Sequence, residues 1–114
     1  MNISNESLQI QIKVVSPTGL CQQTLGTIRH LLGPIRSRAG CLACRIYQDA
    51  ECPEEVTLFE EWENELSFVE HVSSSDYRHI LEWIELSVEQ PEVTVCKKIN
   101  HDGLKLIKKI RKAQ

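Results

Sequence analysis

The sequence predicts an α+β domain: a ferredoxin-like β-α-β-β-α-β chain forming a four-stranded antiparallel sheet with helices on one face. Three features carry that expectation. Leu8, Ile10, Ile12 and Val14 alternate with Gln9, Gln11 and Lys13, the period-two pattern of a half-buried strand. Apolar residues recur at helical spacing in two separate stretches, after Leu20 and after Tyr77. Between them, two strand-like runs are joined by the short polar loop AECPEE, which makes a hairpin their natural pairing.

Each element has its own signature. Pro17-Thr18-Gly19 breaks the first strand. Leu20, Thr24, Ile28, Leu31 and Ile35 then share one helical face, with Leu25 and Leu32 beside them. Gly33-Pro34 kinks or ends this helix, because proline lacks an amide donor and clashes with the previous turn, and Gly40 closes the segment. Cys41 to Asp49 reads as the second strand and Val56 to Glu63 as the third. Asn64 is a good N-cap for a short helix from Glu65 to Val72. Ser73 to Asp76 interrupts it and caps a longer helix with the stripe Tyr77, Ile80, Leu81, Ile84 and Val88, stopped by Pro91. Val93 and Val95, with Ile99 beyond them, mark the fourth strand.

With 114 residues, 41% of them hydrophobic and 25% charged, the chain suits one globular domain that can bury a core without staples. No apolar run is long enough to cross a bilayer. The N-terminus lacks a charged segment followed by an apolar one, so the expected compartment is the cytoplasm. Charge is unevenly spread. Residues 1–100 carry eight Lys/Arg against fifteen Asp/Glu, whereas residues 101–114 carry five against Asp102 alone. An acidic body repels nucleic acid, so no nucleic-acid partner is expected. The chain thus divides into a domain, 1–100, and a basic tail, 101–114.

If the apolar side of the first strand meets the helices, the other side of the sheet holds Gln9, Gln11, Lys13, Ala43, Arg45, Tyr47, Thr57, Phe59 and Glu61. Tyr47 and Phe59 suit water poorly. A second copy covering this face would give a two-sheet dimeric α+β barrel with closed symmetry, so a homodimer is expected.

The stretch VTLFEEWENELSFVEH turns from strand pattern to helix pattern and places Glu60, Trp62 and His71 at the seam. Side chains alternate along a strand, so Leu58, Glu60 and Trp62 share one side, towards the helices if Leu58 faces the core. A carboxylate in an apolar cleft suits a proton acceptor; pairing with an Arg or capping a helix amide is the blander role and ranks ahead of it. For Trp62, anchoring the core ranks ahead of walling a pocket. His71 is the best general base in the chain, since imidazole titrates near neutrality. Its place near a helix C-terminus also gives it a structural purpose, and both readings stand. Tyr77 lies on the last helix's apolar stripe and could border a pocket, with core packing ranking first. His79 and Trp83, four apart, need share no more than a local contact.

Gly40-Cys41-Leu42 with Tyr47, Glu60-Glu61-Trp62-Glu63 followed by His71, the serine break and Pro91-Glu92-Val93 together resemble the antibiotic biosynthesis monooxygenase family of dimeric α+β barrels. The resemblance implies a homodimer with a cleft between sheet and helices. Members of that family include oxygenases that use neither metal nor flavin and act on polycyclic phenols or quinols. A cofactor-independent oxygenase of a quinol-like or polyphenolic molecule with molecular oxygen is therefore the leading expectation. On that likeness His71 and Glu60 are the catalytic candidates, Leu58, Trp62 and Tyr77 surround the substrate, and no cofactor is expected. An acidic phenol would lose its proton to His71, or to a water it holds, and the electron-rich anion would reduce oxygen directly. A non-catalytic ligand-binding or sensing homodimer on the same scaffold is the alternative, and haem binding or degradation a distant third.

Five cysteines, Cys21, Cys41, Cys44, Cys52 and Cys96, should be thiols in a reducing compartment. Cys41-x-x-Cys44 invites a metal or redox reading, but residues three apart on a strand point to opposite faces, so structural cysteine is expected. Cys52 lies in a polar loop and is open to oxidation. The tail can form a helix capped by Asp102, with Leu106, Ile107 and Ile110 on one side and lysines around them. Docking on the acidic body or a sister subunit ranks ahead of weak membrane contact.

Overall fold

The computed structural model describes residues 6–98 and 102–114. Its elements are β1 (Ser7–Val15), α1 (Cys21–Arg29), α2 (Leu32–Arg36), β2 (Cys41–Gln48), β3 (Glu55–Trp62), α3 (Glu65–Ser73), a 3₁₀ turn (Ser75–Tyr77), α4 (Arg78–Ile84), β4 (Glu92–Lys98) and α5 (Gly103–Lys112). The strands form one antiparallel sheet in the order β2-β3-β1-β4. This is the ferredoxin-like α+β arrangement the sequence predicts, with the hairpin β2-β3 flanked by one helical crossover before it, β1 to β2, and one after it, β3 to β4. Ile99, the last residue assigned to the fourth strand by pattern, lies outside the described residues.

The core lies where the alternation of β1 and β3 meets the helical stripes. Ile10, Ile12, Val14, Val56, Leu58 and Trp62 from the sheet are sealed against Ile28, Ile80 and Trp83 from the helices. Full burial of each aliphatic side chain contributes about 1.5–3 kcal/mol. The other face of the sheet is mixed. Lys13 bridges Glu55 at 2.7 Å and Glu92 at 2.9 Å, Ser7 Oγ donates to Glu61 at 2.6 Å, and Tyr47 meets Phe59 edge to face.

Three expectations need correction. The first helical segment breaks before Pro34, not at it: α1 ends at Arg29 and Leu31 N–H bonds tightly back to the Ile28 carbonyl at 3.0 Å. Pro34 then occupies the first turn of α2, where an amide has no intrahelical partner to lose. The last domain helix is also shorter than its stripe suggests. It ends at Ile84, and Val88 leaves the helical pattern to donate its N–H to the Val15 carbonyl at 2.9 Å. Trp83 joins Ile80 as a buried residue there, while Leu81 is exposed.

The third correction concerns Cys41 and Cys44. A bulge near Leu42 lets Cys41 pair with Trp62 and Cys44 with Glu60, so both thiols lie on the same side of the sheet. Alternation failed because a bulge inserts one residue into the count. The thiols remain in their neutral form for a different reason: burial, followed by the nearby Glu60 charge, raises both, Cys44 to about 12.

Candidate functional site

The site is assembled at the end of β3. Val56, Leu58, Glu60 and Trp62 all point to the helix side and are buried, while their neighbours are partly open. Gly40, with φ +83°, lets the start of β2 approach α3 so closely that a Cβ there would overlap the Ser67 side chain. Its carbonyl accepts from Glu63 N–H at 2.8 Å. Asn64 starts α3 one residue later, its Oδ1 accepting from Ser67 N–H at 2.9 Å. The helix then returns His71, in its last turn, over the strand it has just left. Ser74 fastens this end, donating from N–H at 3.2 Å and from Oγ at 2.7 Å to the His71 carbonyl.

The imidazole lies against aromatic rings on two sides. It stacks on Trp62 with centroids 4.6 Å apart and planes inclined by 29°, and Tyr77 meets it edge-on at 5.1 Å. Trp62 Nε1–H donates to Glu60 Oε1 at 2.9 Å. That leaves Glu60 Oε2 facing His71 Nε2 at 3.5 Å. Glu60 is 1% and His71 3% exposed, yet Glu60 Oε2 and both imidazole nitrogens lack a hydrogen-bond partner. Buried polar atoms are normally satisfied, because desolvating one without a partner costs about 1–3 kcal/mol. Burial of Tyr77, with the Glu60 charge nearby, pushes its phenol up to about 12, so it stays a neutral phenol across physiological pH.

His71 is also a wall of a cavity of about 300 Å³ between α2, α3 and α4. Leu31, Ile35 and Ile80 supply its apolar surface, and Arg38, Asp76 and His79 its remaining polar groups. Arg38 donates to the Glu70 carbonyl at 3.4 Å, and His79 leans on Glu82 rather than on the buried Trp83. Of the site residues read from the sequence, His71 alone lines this cavity. Glu60 and Trp62 lie behind it, Leu58 is buried in the core, and Tyr77 flanks its ring. Asp76 and His79 are three apart in sequence, but nothing in the spacing joins them to Arg38 or to His71; only the fold brings the four around one cavity. Among the described residues no three His, Cys, Asp or Glu side chains are grouped to hold a metal ion, and no helix is long and apolar enough to cross a membrane.

A family model described as antibiotic biosynthesis monooxygenase matches residues 10–83. No curated protein matches the sequence significantly. Among solved structures, a conserved protein from Methanosarcina mazei Go1 superposes with a TM-score of 0.75 at 23% identity, covering 82% of this chain and 94% of its own. Rv0793 from Mycobacterium tuberculosis superposes with a TM-score of 0.74 at 20% identity, covering 83% and 97%. A structure of an antibiotic biosynthesis monooxygenase reaches 0.71 at 17% identity, covering 82% and 99%. At such identities these likenesses speak for the fold.

Proposed function

The chain belongs to the antibiotic biosynthesis monooxygenase family, and from that premise we propose that it is a homodimeric, cofactor-independent oxygenase of a small quinol or phenol. The observation that supports this most directly is His71: buried, without a hydrogen-bond partner, and lining an apolar cavity. A substrate hydroxyl placed in the cavity would meet a base already desolvated and held by two aromatic rings. With Nε2 turned to Glu60, Nδ1 is the nitrogen left to receive the proton. Glu60 then faces the imidazolium across 3.5 Å, and the Trp62 indole holds the carboxylate in place. Trp62 and Tyr77 act in this reading as the supports of the base, behind and beside it, and Leu58 belongs to the core beneath the site.

The rest of the chemistry belongs to the substrate. The phenolate hands one electron to molecular oxygen, and the resulting radical and superoxide combine at a ring carbon. The peroxide anion so formed takes back the proton to become a hydroperoxide, which loses water together with the hydrogen of that ring carbon to leave a quinone. One oxygen atom thus enters the product and the other leaves in water. A cavity near 300 Å³ is at the small end for ligand sites, which favours one- or two-ring substrates over polycyclic ones. A second copy would cover Tyr47 and Phe59 on the open face of the sheet.

Oxygen uptake with a panel of one- and two-ring hydroquinones tests this. His71→Ala should lower kcat by about 10²–10⁴-fold, the range of a positioned general base. Glu60→Gln keeps the shape of the carboxylate and an acceptor for Trp62, and should lower kcat by roughly tenfold or more through the same base. Turnover that is absent in the wild type, or untouched in His71→Ala, would remove the oxygenase. Tight binding without turnover would favour the ligand-binding homodimer, in which Glu60, bonded to Trp62 through one oxygen, is a structural carboxylate.

A further inference from the structure

We propose that α5 is an arm that docks on a second copy of this chain, in the acidic and apolar strip formed by the end of α4, the segment after it and the helix-facing side of β4. Two surfaces left bare in the single chain carry this, and they match.

The first is the helix itself. Asp102 caps it, accepting from Lys105 N–H at 3.2 Å, so its start is defined without help from the body. Leu106, Ile107 and Ile110 share one side, with Leu104 at its margin. Lys105, Lys108, Lys109 and Lys112 occupy the other. The four apolar residues are 43–60% exposed, and no residue of α5 is buried. The radius of gyration is 16.5 Å, against about 13 Å for a compact chain of this length. The helix stands off the body.

The second surface is the outer edge of the sheet. Val93 lies opposite Ile12 and Val95 opposite Ile10, and residues paired in this way project to the same side. Ile10 and Ile12 are 1% exposed, whereas Val93 and Val95 are 57% and 53% exposed. The helices therefore cover β1 and β3 and stop short of β4. Leu86 and Val88 are exposed as well. Residues 82–91 add Glu82, Glu85 and Glu89, with no Lys or Arg among them, while Glu92 turns to the other face of the sheet and pairs with Lys13. An apolar strip with an acidic border thus faces the requirements of an apolar helix stripe with a basic border.

A second copy is the occupant favoured by symmetry. Each chain carries one arm and one strip, so a reciprocal exchange is isologous and closes as a pair. The two contacts would remove on the order of 1,000 Å² from water, the lower end of what a specific interface needs. They would also cover an edge strand that otherwise invites uncontrolled pairing. Fewer than three turns with four apolar residues make a thin stripe for a membrane surface, whereas the strip supplies both apolar area and counter-charge.

Equal amounts of light- and heavy-nitrogen chains, equilibrated together and treated with a carbodiimide, test the proposal by joining Lys to Glu at contact distance. The expected products are mixed-isotope peptides linking the α5 lysines to Glu85 or Glu89. Ile107→Asp with Ile110→Asp in the arm, and Val95→Asp in the strip, should each lower their yield by roughly tenfold, while the circular dichroism of the folded domain persists. Links found only within one isotope would mean that the arm folds onto its own chain. No such links, together with flotation of the full chain on phosphatidylserine vesicles, would mean a lipid surface. Either result overturns the proposal.

Discussion

Glu60 shows how much one carboxylate can organise. Its two oxygens are divided, one accepting from Trp62 and the other facing His71, and its charge also helps raise Tyr77, Cys41 and Cys44. Strand alternation was enough to place Glu60 and Trp62 on the helix side. It could not reveal that they bond to each other, since that depends on rotamers rather than on parity. Tyr77 offers a test at this scale. Its folded phenol titrates near 12, above the ordinary value near 10. The stability it contributes is therefore complete below about pH 10 and is lost as pH rises towards 12. Absorbance titration at the tyrosinate band should show one transition near pH 12 that Tyr77→Phe removes, and alkaline unfolding of that variant should be shallower over the same window. A Tyr77→Phe titration curve identical to the wild type would contradict the burial of this phenol.

The elements explain why the seam works as a site. A strand ending in Trp62, a glycine that permits close approach, an asparagine cap and one short helix together carry His71 back over the strand. The cap and the helix were legible because Asn64 precedes a helical pattern. The closeness of Gly40 to Ser67 was not, because it is a contact between elements. Gly40→Ala should destabilise the fold by about 1–3 kcal/mol, from a positive φ and the overlap with Ser67, measured as a lower urea midpoint. Adding Ser67→Gly should recover the overlap but not the backbone strain. An unchanged midpoint in the single variant would mean that α3 shifts freely, and with it the placement of His71. The same scale holds the irregular features: Pro34 sits inside the first turn of a helix, α4 stops early, and the Leu42 bulge reverses the parity of Cys41. Each is a local irregularity that periodicity averages away.

At the scale of the whole molecule, the order of elements was legible because alternation and helical spacing are properties of contiguous sequence. The cavity was not. Its walls come from α2, α3 and α4, which are separated in sequence and brought together only by the fold, so Arg38 gave no signal that it shares a cavity with His71, Asp76 and His79. The cavity and the base behind it lead to one direct measurement: the absorbance of a two-ring hydroquinone mixed with the protein in the absence of oxygen. The bound ligand should show the phenolate spectrum with the wild type at neutral pH, and the neutral phenol spectrum with His71→Ala. A neutral phenol on the wild type, or an equal phenolate signal on both proteins, would contradict His71 as the base.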